Sequence, residues 1–357
     1  MKTSKLNFKY FLIAQIFAVT LASCHKDKIT TPPSKPTAER AGLYVLDQGN
    51  STKPNSALTF YNYTTKQLTA DIFTTVNGQG LGNTANDIKI YGSKMYITVD
   101  KSGVVYVLDP KTAKIIKQIP FKTGDNSREP RSIAFYKNNA FISLYDGNVA
   151  VMDTATYAVS KYIPVGNNPE QLSVANGKLY VANSGGLNYP NVDNTVSVIN
   201  LTTFTVIKTI TVGDDPYAVT VDGYGDVFVN AYGVFGATNA SLTIIDSNTD
   251  AVKTKVDFGG GPFAINGDNA YYIDSDGIVK VYNVKTAATS NSGFVTDGTT
   301  FTAAYAVAAD PLTGEVFVTD AKDYNSNGLI FAFDKTGKKE YSLTVGINPG
   351  SVVFVNK

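Results

Sequence analysis

One four-part pattern recurs along most of this chain and limits what the chain can fold into. Residues 168–213 contain four short apolar runs rich in β-branched side chains: 168–172, Lys178–Asn183, Thr195–Asn200 and 204–213. Gly, Asn, Asp or Pro residues bound each run, which is typical of antiparallel strands joined by turns. The pattern returns every roughly 40–47 residues, the interval at which four-stranded propeller blades repeat.

The two ends of the chain carry complementary parts of this pattern. Residues 42–47 match a second strand, 57–62 a third, and a fourth is expected near 68–75, so the first unit lacks an opening strand. Residues 348–355 match an opening strand with nothing after it. We therefore expect the C-terminal strand to complete the first sheet and leave no open edge.

The complete units between these ends are read as six further blades. Their expected bounds are 84–121, 130–166, 168–213, 216–259, 262 to about 296, and 305–346. The prediction is an all-β, seven-bladed β-propeller with four-stranded antiparallel blades, with six or eight blades as the margin. A TIM barrel is disfavoured because no long amphipathic helix separates the strands, and a jelly roll does not explain the repeat.

Composition excludes several classes of protein. The formal net charge of +1 argues against a nucleic-acid binder, which needs a basic excess. The single Cys and single His are Cys24 and His25. Residues 41–357 therefore offer no Ser-His-Asp triad and no His/Cys zinc site, and we expect neither a metal nor a cofactor. A carboxylate mechanism or an all-oxygen calcium site stays open.

The N-terminal segment has the features of a processed leader. Three lysines precede an apolar run over residues 10–19 that is short for a membrane span, and the sequence Leu-Ala-Ser-Cys ends at Cys24. This segment resembles a bacterial lipoprotein leader, which implies a signal peptide over 1–23 and a lipid on Cys24. Residues 24–40 are rich in proline and are expected to be a tether, followed by one domain over 41–357.

The repeats resemble the YVTN-type β-propellers of bacterial surface proteins. Tyr180-Val181-Ala182-Asn183 carries the likeness, followed by residues 198–200 and 212–213. Residues 55–61 and 78–88 further resemble the first blade of surface lipoprotein propellers from Bacteroides-like bacteria. That group includes cobalamin-binding propellers that cap an outer-membrane vitamin B12 transporter. The resemblance implies an outer-membrane location facing the cell exterior.

Two sets of residues are predicted to surround one mouth of the central channel. The first set lies at the start of each innermost strand: Asn86, Arg131, Glu170, Tyr217, Phe263, Tyr305 and Gly350. It divides into a polar sector and an aromatic sector. The second set lies on loops between second and third strands that open on the same face: Tyr189, Tyr232, Phe235 and Tyr324.

Aromatic side chains are not needed for turns, so the loop aromatics require another explanation. They could form a platform for a large, flat, amphipathic ligand, or they could plug the channel mouth. Arg131 and Glu170 could contact a ligand or pair with each other. Residues 274–277 and 323–328 resemble fragments of calcium loops, but hairpin turns have the same composition. The glycines at 259–261 lack the Lys and helix of a phosphate loop.

Together these features favour a non-enzymatic surface lipoprotein that binds a nutrient, with cobalamin or another corrinoid as the leading ligand. The expected partner is a TonB-dependent transporter of the outer membrane, and the chain is otherwise expected to be monomeric. A glycan-binding or protein-docking propeller is the first alternative. A calcium-dependent lactonase or lyase propeller is the second, although Arg131 argues against a cation at the mouth.

Overall fold

Residues 39–357 are described by the structure, a computed structural model, and they form seven four-stranded antiparallel sheets arranged as the blades of a propeller. The predicted signal peptide 1–23, the lipidation site at Cys24 and nearly all of the predicted tether lie outside the described residues. The first strand begins at Arg40, one residue before the expected start of the domain. Within residues 39–357 no helix is long and apolar enough to span a bilayer.

The strands follow one another in chain order and are numbered accordingly. Blade 1 contains β1 (Arg40–Asp47), β2 (Ala57–Asn62) and β3 (Leu68–Thr69), and blade 2 contains β4 (Ala85–Tyr91), β5 (Lys94–Val99), β6 (Val104–Leu108) and β7 (Ile115–Pro120). A small hairpin follows, made of β8 (Lys122–Thr123) and β9 (Asn126–Ser127). Blade 3 contains β10 (Pro130–Tyr136), β11 (Asn139–Leu144), β12 (Asn148–Asp153) and β13 (Val159–Pro164).

The remaining blades have the same plan. Blade 4 contains β14 (Pro169–Ala175), β15 (Lys178–Asn183), β16 (Thr195–Asn200) and β17 (Thr205–Thr211); blade 5 contains β18 (Pro216–Val221), β19 (Asp226–Ala231), β20 (Ser241–Asp246) and β21 (Ala251–Asp257); blade 6 contains β22 (Ala264–Asn266), β23 (Asn269–Ile273), β24 (Val279–Asn283) and β25 (Ala288–Asn291); blade 7 contains β26 (Ala304–Ala309), β27 (Val316–Asp320), β28 (Leu329–Phe333) and β29 (Lys339–Thr344); β30 (Pro349–Asn356) ends the chain.

The predicted closure of the ring is confirmed. The sheet order in blade 1 is β3-β2-β1-β30, so the last strand of the chain is the innermost strand of the first blade. The two strands are antiparallel, with Tyr44 opposite Val353 and Val45 opposite Val352. The seven innermost strands are in contact around the axis, from β4 through β10, β14, β18, β22 and β26 to β30.

One strand of the prediction is wrong. The fourth strand expected near 68–75 ends after Thr69, and a short helix, α1 (Ile72–Asn77), follows it. The Asp71 side chain accepts a hydrogen bond from the Thr74 amide, and Gly78 ends the helix in the left-handed conformation. Phe73 on this helix is fully buried, with its ring 5.0 Å from that of Tyr106 in blade 2.

The hydrophobic core lies between neighbouring blades, because the second and third strands of a blade are buried on both faces. One apolar cluster joins blades 3 and 4 through Phe141, Val151, Leu179 and Val181. A further cluster joins blade 1 to blade 7 and includes Val45 and Phe317. Each blade therefore depends on two neighbours for burial, which makes ring closure a condition of stability for the whole domain.

Charged side chains reinforce the closure. Arg40 on β1 donates from Nε and Nη2 to the two carboxylate oxygens of Asp310 in blade 7, at 2.8 and 2.5 Å. The Asp310 side chain is fully buried, so it depends on this guanidinium and on the Leu312 amide for compensation. Lys357 and Glu39 form an exposed pair nearby at 2.6 Å.

Replacing Arg40 should therefore weaken the fold far more than replacing Lys357. We expect Arg40→Ala to lower the free energy of unfolding by about 3 kcal/mol, because it leaves a buried carboxylate unpaired. Lys357→Ala, the matched control, should cause no measurable loss, since its pair is screened by water. Urea unfolding checks both variants, and equal losses from the two would contradict this account of the closure.

Asp47, at the end of β1, makes the stability of the fold depend on pH. It is fully buried, and Oδ2 accepts a hydrogen bond from Thr59 at 2.7 Å, while Oδ1 has no partner among the described residues. Burial raises the pKa of Asp47 well above its ordinary value. The folded protein therefore holds this proton at pH values where the unfolded chain releases it, so stability falls as the pH rises above about 4.

Asp47→Asn should consequently raise the thermal midpoint at pH 7 by a few degrees, and the gain should fade towards pH 4. Asp297 provides a control of opposite sign. Hydrogen bonds from Thr299 and from the Lys339 amide lower the pKa of Asp297 to about 2. Asp297→Asn should destabilise the protein at pH 7 and lose its effect as the pH approaches 2. Thermal unfolding across this pH range measures both, and a pH-independent gain for Asp47→Asn would refute the assignment.

Candidate functional site

A cavity of about 720 Å³ opens at the end of the channel where the innermost strands begin. Six of the seven predicted strand positions line it, with Phe263 as the exception. Tyr232 and Tyr324, two of the four predicted loop residues, also line it. The structure thus brings eight of the predicted positions together around one cavity: Asn86, Arg131, Glu170, Tyr217, Tyr232, Tyr305, Tyr324 and Gly350.

A repeated hydrogen bond holds the strand positions in place. Thr98 of blade 2 donates its hydroxyl to the Arg131 carbonyl at 3.0 Å, and Ser143 of blade 3 donates to the Glu170 carbonyl at 2.6 Å. The same two hydroxyl oxygens accept from the Asp87 and Ser132 amides, which lie where the ladder of the innermost strand shifts register. Each hydroxyl therefore accepts a hydrogen bond from a backbone amide at a bulge and donates one to a carbonyl of the next blade, which links the two blades.

Ionic hydrogen bonds organise the polar sector of the cavity. Arg131 donates from Nε and Nη2 to the two carboxylate oxygens of Glu170, both at 2.9 Å, and from Nη1 to Asp100 at 2.6 Å. The guanidinium also lies over the Tyr145 ring, 4.9 Å from its centroid. Asn86 donates to the Arg131 carbonyl at 2.8 Å. Arg131 and Glu170 thus form the pair across adjacent blades and still line the cavity.

The protonation states in this sector follow from burial and pairing. Burial raises the pKa of Glu170, and the charge and hydrogen bonds of Arg131 oppose that rise. Burial on its own would lower the pKa of Arg131, but Glu170 and Asp100 raise it above its ordinary value. The guanidinium therefore stays charged, and its two carboxylate partners keep its donor atoms fixed in direction.

Two pairs of tyrosines form the aromatic sector. Tyr217 and Tyr232 are stacked, with ring centroids 3.7 Å apart and planes within 8° of parallel. Tyr305 and Tyr324 meet edge to face at 6.0 Å. Tyr305 donates its hydroxyl to Gln48 Oε1 at 2.5 Å, which fixes the ring. Tyr232 is 60% exposed, so one face of the stacked pair is open to a ligand.

Phe263 lies away from the cavity. It precedes β22, which begins only at Ala264, and its side chain packs in the aromatic core of blades 5 and 6 with Phe228, Phe258 and Tyr282. Its place in the wall is taken by backbone from 259–261 together with Asp274 and Ser275. The glycine run, which has no feature of a phosphate loop, contributes only backbone to this part of the wall.

Tyr189 and Phe235 also lie outside the cavity. They occupy the neighbouring loops of blades 4 and 5, and Tyr189 Oη accepts a hydrogen bond from the Phe235 amide at 3.1 Å. Phe235 is 97% exposed and Leu187 beside Tyr189 is largely exposed as well. The two loops support each other, but these side chains project beyond the cavity wall.

Four residues at or behind the wall were not anticipated: Gln48, Asp100, Tyr145 and Asp274. Gln48 and Asp100 immediately follow β1 and β5, and Tyr145 immediately follows β11. Asp274 has the same position after β23. The residue after the second strand lines the cavity in three blades, as Gln48, Tyr232 and Asp274, and this position can be read from the sequence.

The two calcium-like fragments are turns. Asp274 Oδ1 accepts from the Asp276 and Ile278 amides, and Asp323 Oδ1 accepts from the Asn325 and Ser326 amides. Lys280 also pairs with Asp274 at 2.5 Å. Among residues 39–357 no group of three or more His, Cys, Asp or Glu is placed to hold a metal ion.

The fold and the mouth define this chain as a seven-bladed β-propeller with one cavity lined by tyrosines and an arginine–carboxylate cluster. The chain belongs to the family described as domain of unknown function (DUF5074), whose model matches residues 41–354. No curated protein sequence matches the chain.

Solved structures of the same fold resemble the chain at low sequence identity. A quinonprotein alcohol dehydrogenase-like protein from Bacteroides thetaiotaomicron matches with a TM-score of 0.62 and 16% identity, over 88% of this chain and 78% of that one. The computationally designed protein Ika8 matches with a TM-score of 0.58 and 15% identity, over 90% and 98%. Hydrazine synthase from Kuenenia stuttgartiensis matches with a TM-score of 0.56 and 14% identity, over 76% and 95%. At these identities the likeness shows the fold alone.

The glycine run yields a test of how the wall is built. A methyl group on Gly260 would lie 2.4–2.6 Å from ring atoms of Phe258 and Tyr272, whereas one on Gly259 would lie 3.5 Å from Ser275 Oγ. Gly260→Ala should therefore cost about 1–3 kcal/mol of stability through overpacking. Gly259→Ala, its neighbour and control, should be tolerated. Chemical denaturation compares them, and an equal cost would show that the wall is looser than described.

Proposed function

We propose that this protein is a non-enzymatic binding propeller whose tyrosine-lined mouth captures a large, flat, amphipathic nutrient, with cobalamin or another corrinoid as the leading ligand. The observation that carries the proposal is the open face of the stacked Tyr217–Tyr232 pair at the rim of a cavity whose other side is polar. Such a combination suits a ligand with a planar, partly apolar ring and polar side arms.

The size and stiffness of the cavity support a binding role. Its volume of about 720 Å³ is within the usual range for small-molecule pockets. The Tyr305–Gln48 hydrogen bond and the bidentate Arg131–Glu170 pair hold the wall in place before a ligand arrives. A prearranged wall lowers the entropy lost on binding.

The proposed location at the outer membrane rests on the N-terminal lipoprotein-like segment and not on the propeller. A lipid on Cys24 would anchor the protein to the outer membrane, and a tether over 24–40 would hold the mouth away from the bilayer. A ligand held at an open mouth can be handed to a TonB-dependent transporter. Peptide mapping of the mature protein tests the anchor, with diacylglycerol on an N-terminal Cys24 as the expected result.

Glycan binding is the second candidate, because an exposed tyrosine face also suits the apolar face of a sugar ring. The exposed side chains at Tyr189 and Phe235 would suit protein docking beside the mouth. Corrinoids and glycans would use the same aromatic surface of the mouth, so direct titration distinguishes them.

Calorimetric titration with cyanocobalamin and with a panel of neutral oligosaccharides separates the candidates. We expect binding of cyanocobalamin, and Tyr232→Ala should weaken it about tenfold or more, because it removes the open stacking face. Tyr224→Ala is the matched control, since Tyr224 is 54% exposed but lies in the turn between β18 and β19 at the other end of the propeller. Absence of heat with cyanocobalamin would overturn the corrinoid assignment.

A further inference from the structure

The charges around the cavity do not cancel. Two carboxylates, Glu170 and Asp100, share the single guanidinium of Arg131. Burial raises the pKa of both carboxyl groups, and the charge and hydrogen bonds of Arg131 oppose that rise in each. With both carboxylates ionised, this cluster carries one net negative charge. The other acidic residue in the wall, Asp274, is paired with Lys280 at 2.5 Å. The cluster is therefore the source of unbalanced charge next to a bound ligand.

Groups around the cluster do not restore the balance. Lys101 and Glu129 both act on Asp100, but they pair with each other at 2.6 Å. Asp215 acts on Glu170 and adds negative charge. Tyr145, which lies against the guanidinium, is neutral at physiological pH, as tyrosine ordinarily is, and burial raises its pKa further.

Asp100 occupies an unusual position in this cluster. It is 1% exposed, its Oδ2 accepts from Arg131, and its Oδ1 has no hydrogen-bond partner among the described residues. It lies behind Arg131 and outside the cavity wall, so it cannot contact a ligand directly. Its charge nonetheless reaches the cavity, because the intervening protein screens much less than water.

We propose that Asp100 sets the charge preference of the mouth, so that the cavity takes ligands with neutral amide or hydroxyl arms and disfavours ligands that carry carboxylates. A single Arg–Glu pair would leave the wall neutral, with guanidinium N–H groups still able to attract an anion. The second carboxylate reverses that attraction. Asp100 is thus a positioning and charge-setting residue, and the inference rests on the proposed function of the mouth as a ligand site.

The test compares two ligands of nearly the same shape. Cyanocobalamin and its monocarboxylic acid, in which one propionamide arm is hydrolysed, are titrated against the wild type, Asp100→Asn and Asp222→Asn. Asp222 is the matched control, because it is also buried with one unpartnered oxygen but lies in the β18–β19 turn at the other end of the propeller. The ratio of the two affinities on one variant does not depend on the folded fraction.

The wild type should bind the amide form about tenfold more tightly than the acid form, as expected for one unbalanced charge about 10 Å away in a partly screened site. Asp100→Asn should lower this ratio about threefold or more, with Asp215 as the remaining unbalanced charge, and Asp222→Asn should leave it unchanged. A wild type without a preference, or equal changes in the two variants, would overturn the inference.

If neither corrinoid binds, the proposed corrinoid function fails, and the same comparison is made with a neutral oligosaccharide and its uronic-acid counterpart. A preference for the neutral sugar that Asp100→Asn reduces and Asp222→Asn does not supports the inference with a different ligand. Binding of both sugars with equal affinity, or of neither, overturns it.

Discussion

The pairing of β30 with β1 is the interaction on which the rest of the structure depends. No blade of this propeller has a core of its own, since the apolar clusters lie between adjacent sheets. If the two ends of the chain separated, blades 1 and 7 would each expose one face to water. The ladder from Gly42 to Asp47, with the Arg40–Asp310 pair beside it, closes the ring without a covalent bond.

The closed ring also explains how a rigid mouth can be built from distant residues. Arg131, Glu170 and Asp100 come from three different segments, and Tyr217, Tyr305 and Gln48 from three more. Hydroxyl groups on second strands hold the neighbouring innermost strands at fixed separations. The polar and aromatic sectors then face each other across the channel, because blades 2 to 4 and blades 5 to 7 lie on opposite sides of the ring.

Much of this arrangement was predictable, and the failures have identifiable causes. The residue after each blade-opening proline, or after its equivalent Ala85 or Ala304, pointed to the mouth because the repeat places it at the same height in six of the seven blades. The prediction that Phe263 lines the mouth failed because β22 begins only at Ala264, which turns the Phe263 side chain into the blade. The prediction that Tyr189 and Phe235 lie at the mouth failed because the length of a loop does not determine its direction. The predicted length of the fourth strand of blade 1 was wrong because Asp71 caps a helix that begins at Ile72.

The sequence by itself indicated seven blades within a margin of one, and it determined the exchange of a strand between the chain ends and the order of polar and aromatic positions around the axis. Because consecutive repeats form consecutive blades, the order of residues along the chain gives their order around the ring. Local sequence patterns are therefore enough to predict these features. Tertiary structure alone decided that Asp100 joins Arg131 and Glu170, that Tyr232 stacks on Tyr217 and that Phe263 turns away. These outcomes depend on distances between side chains far apart in the chain, and on bulges that reset which face a residue occupies.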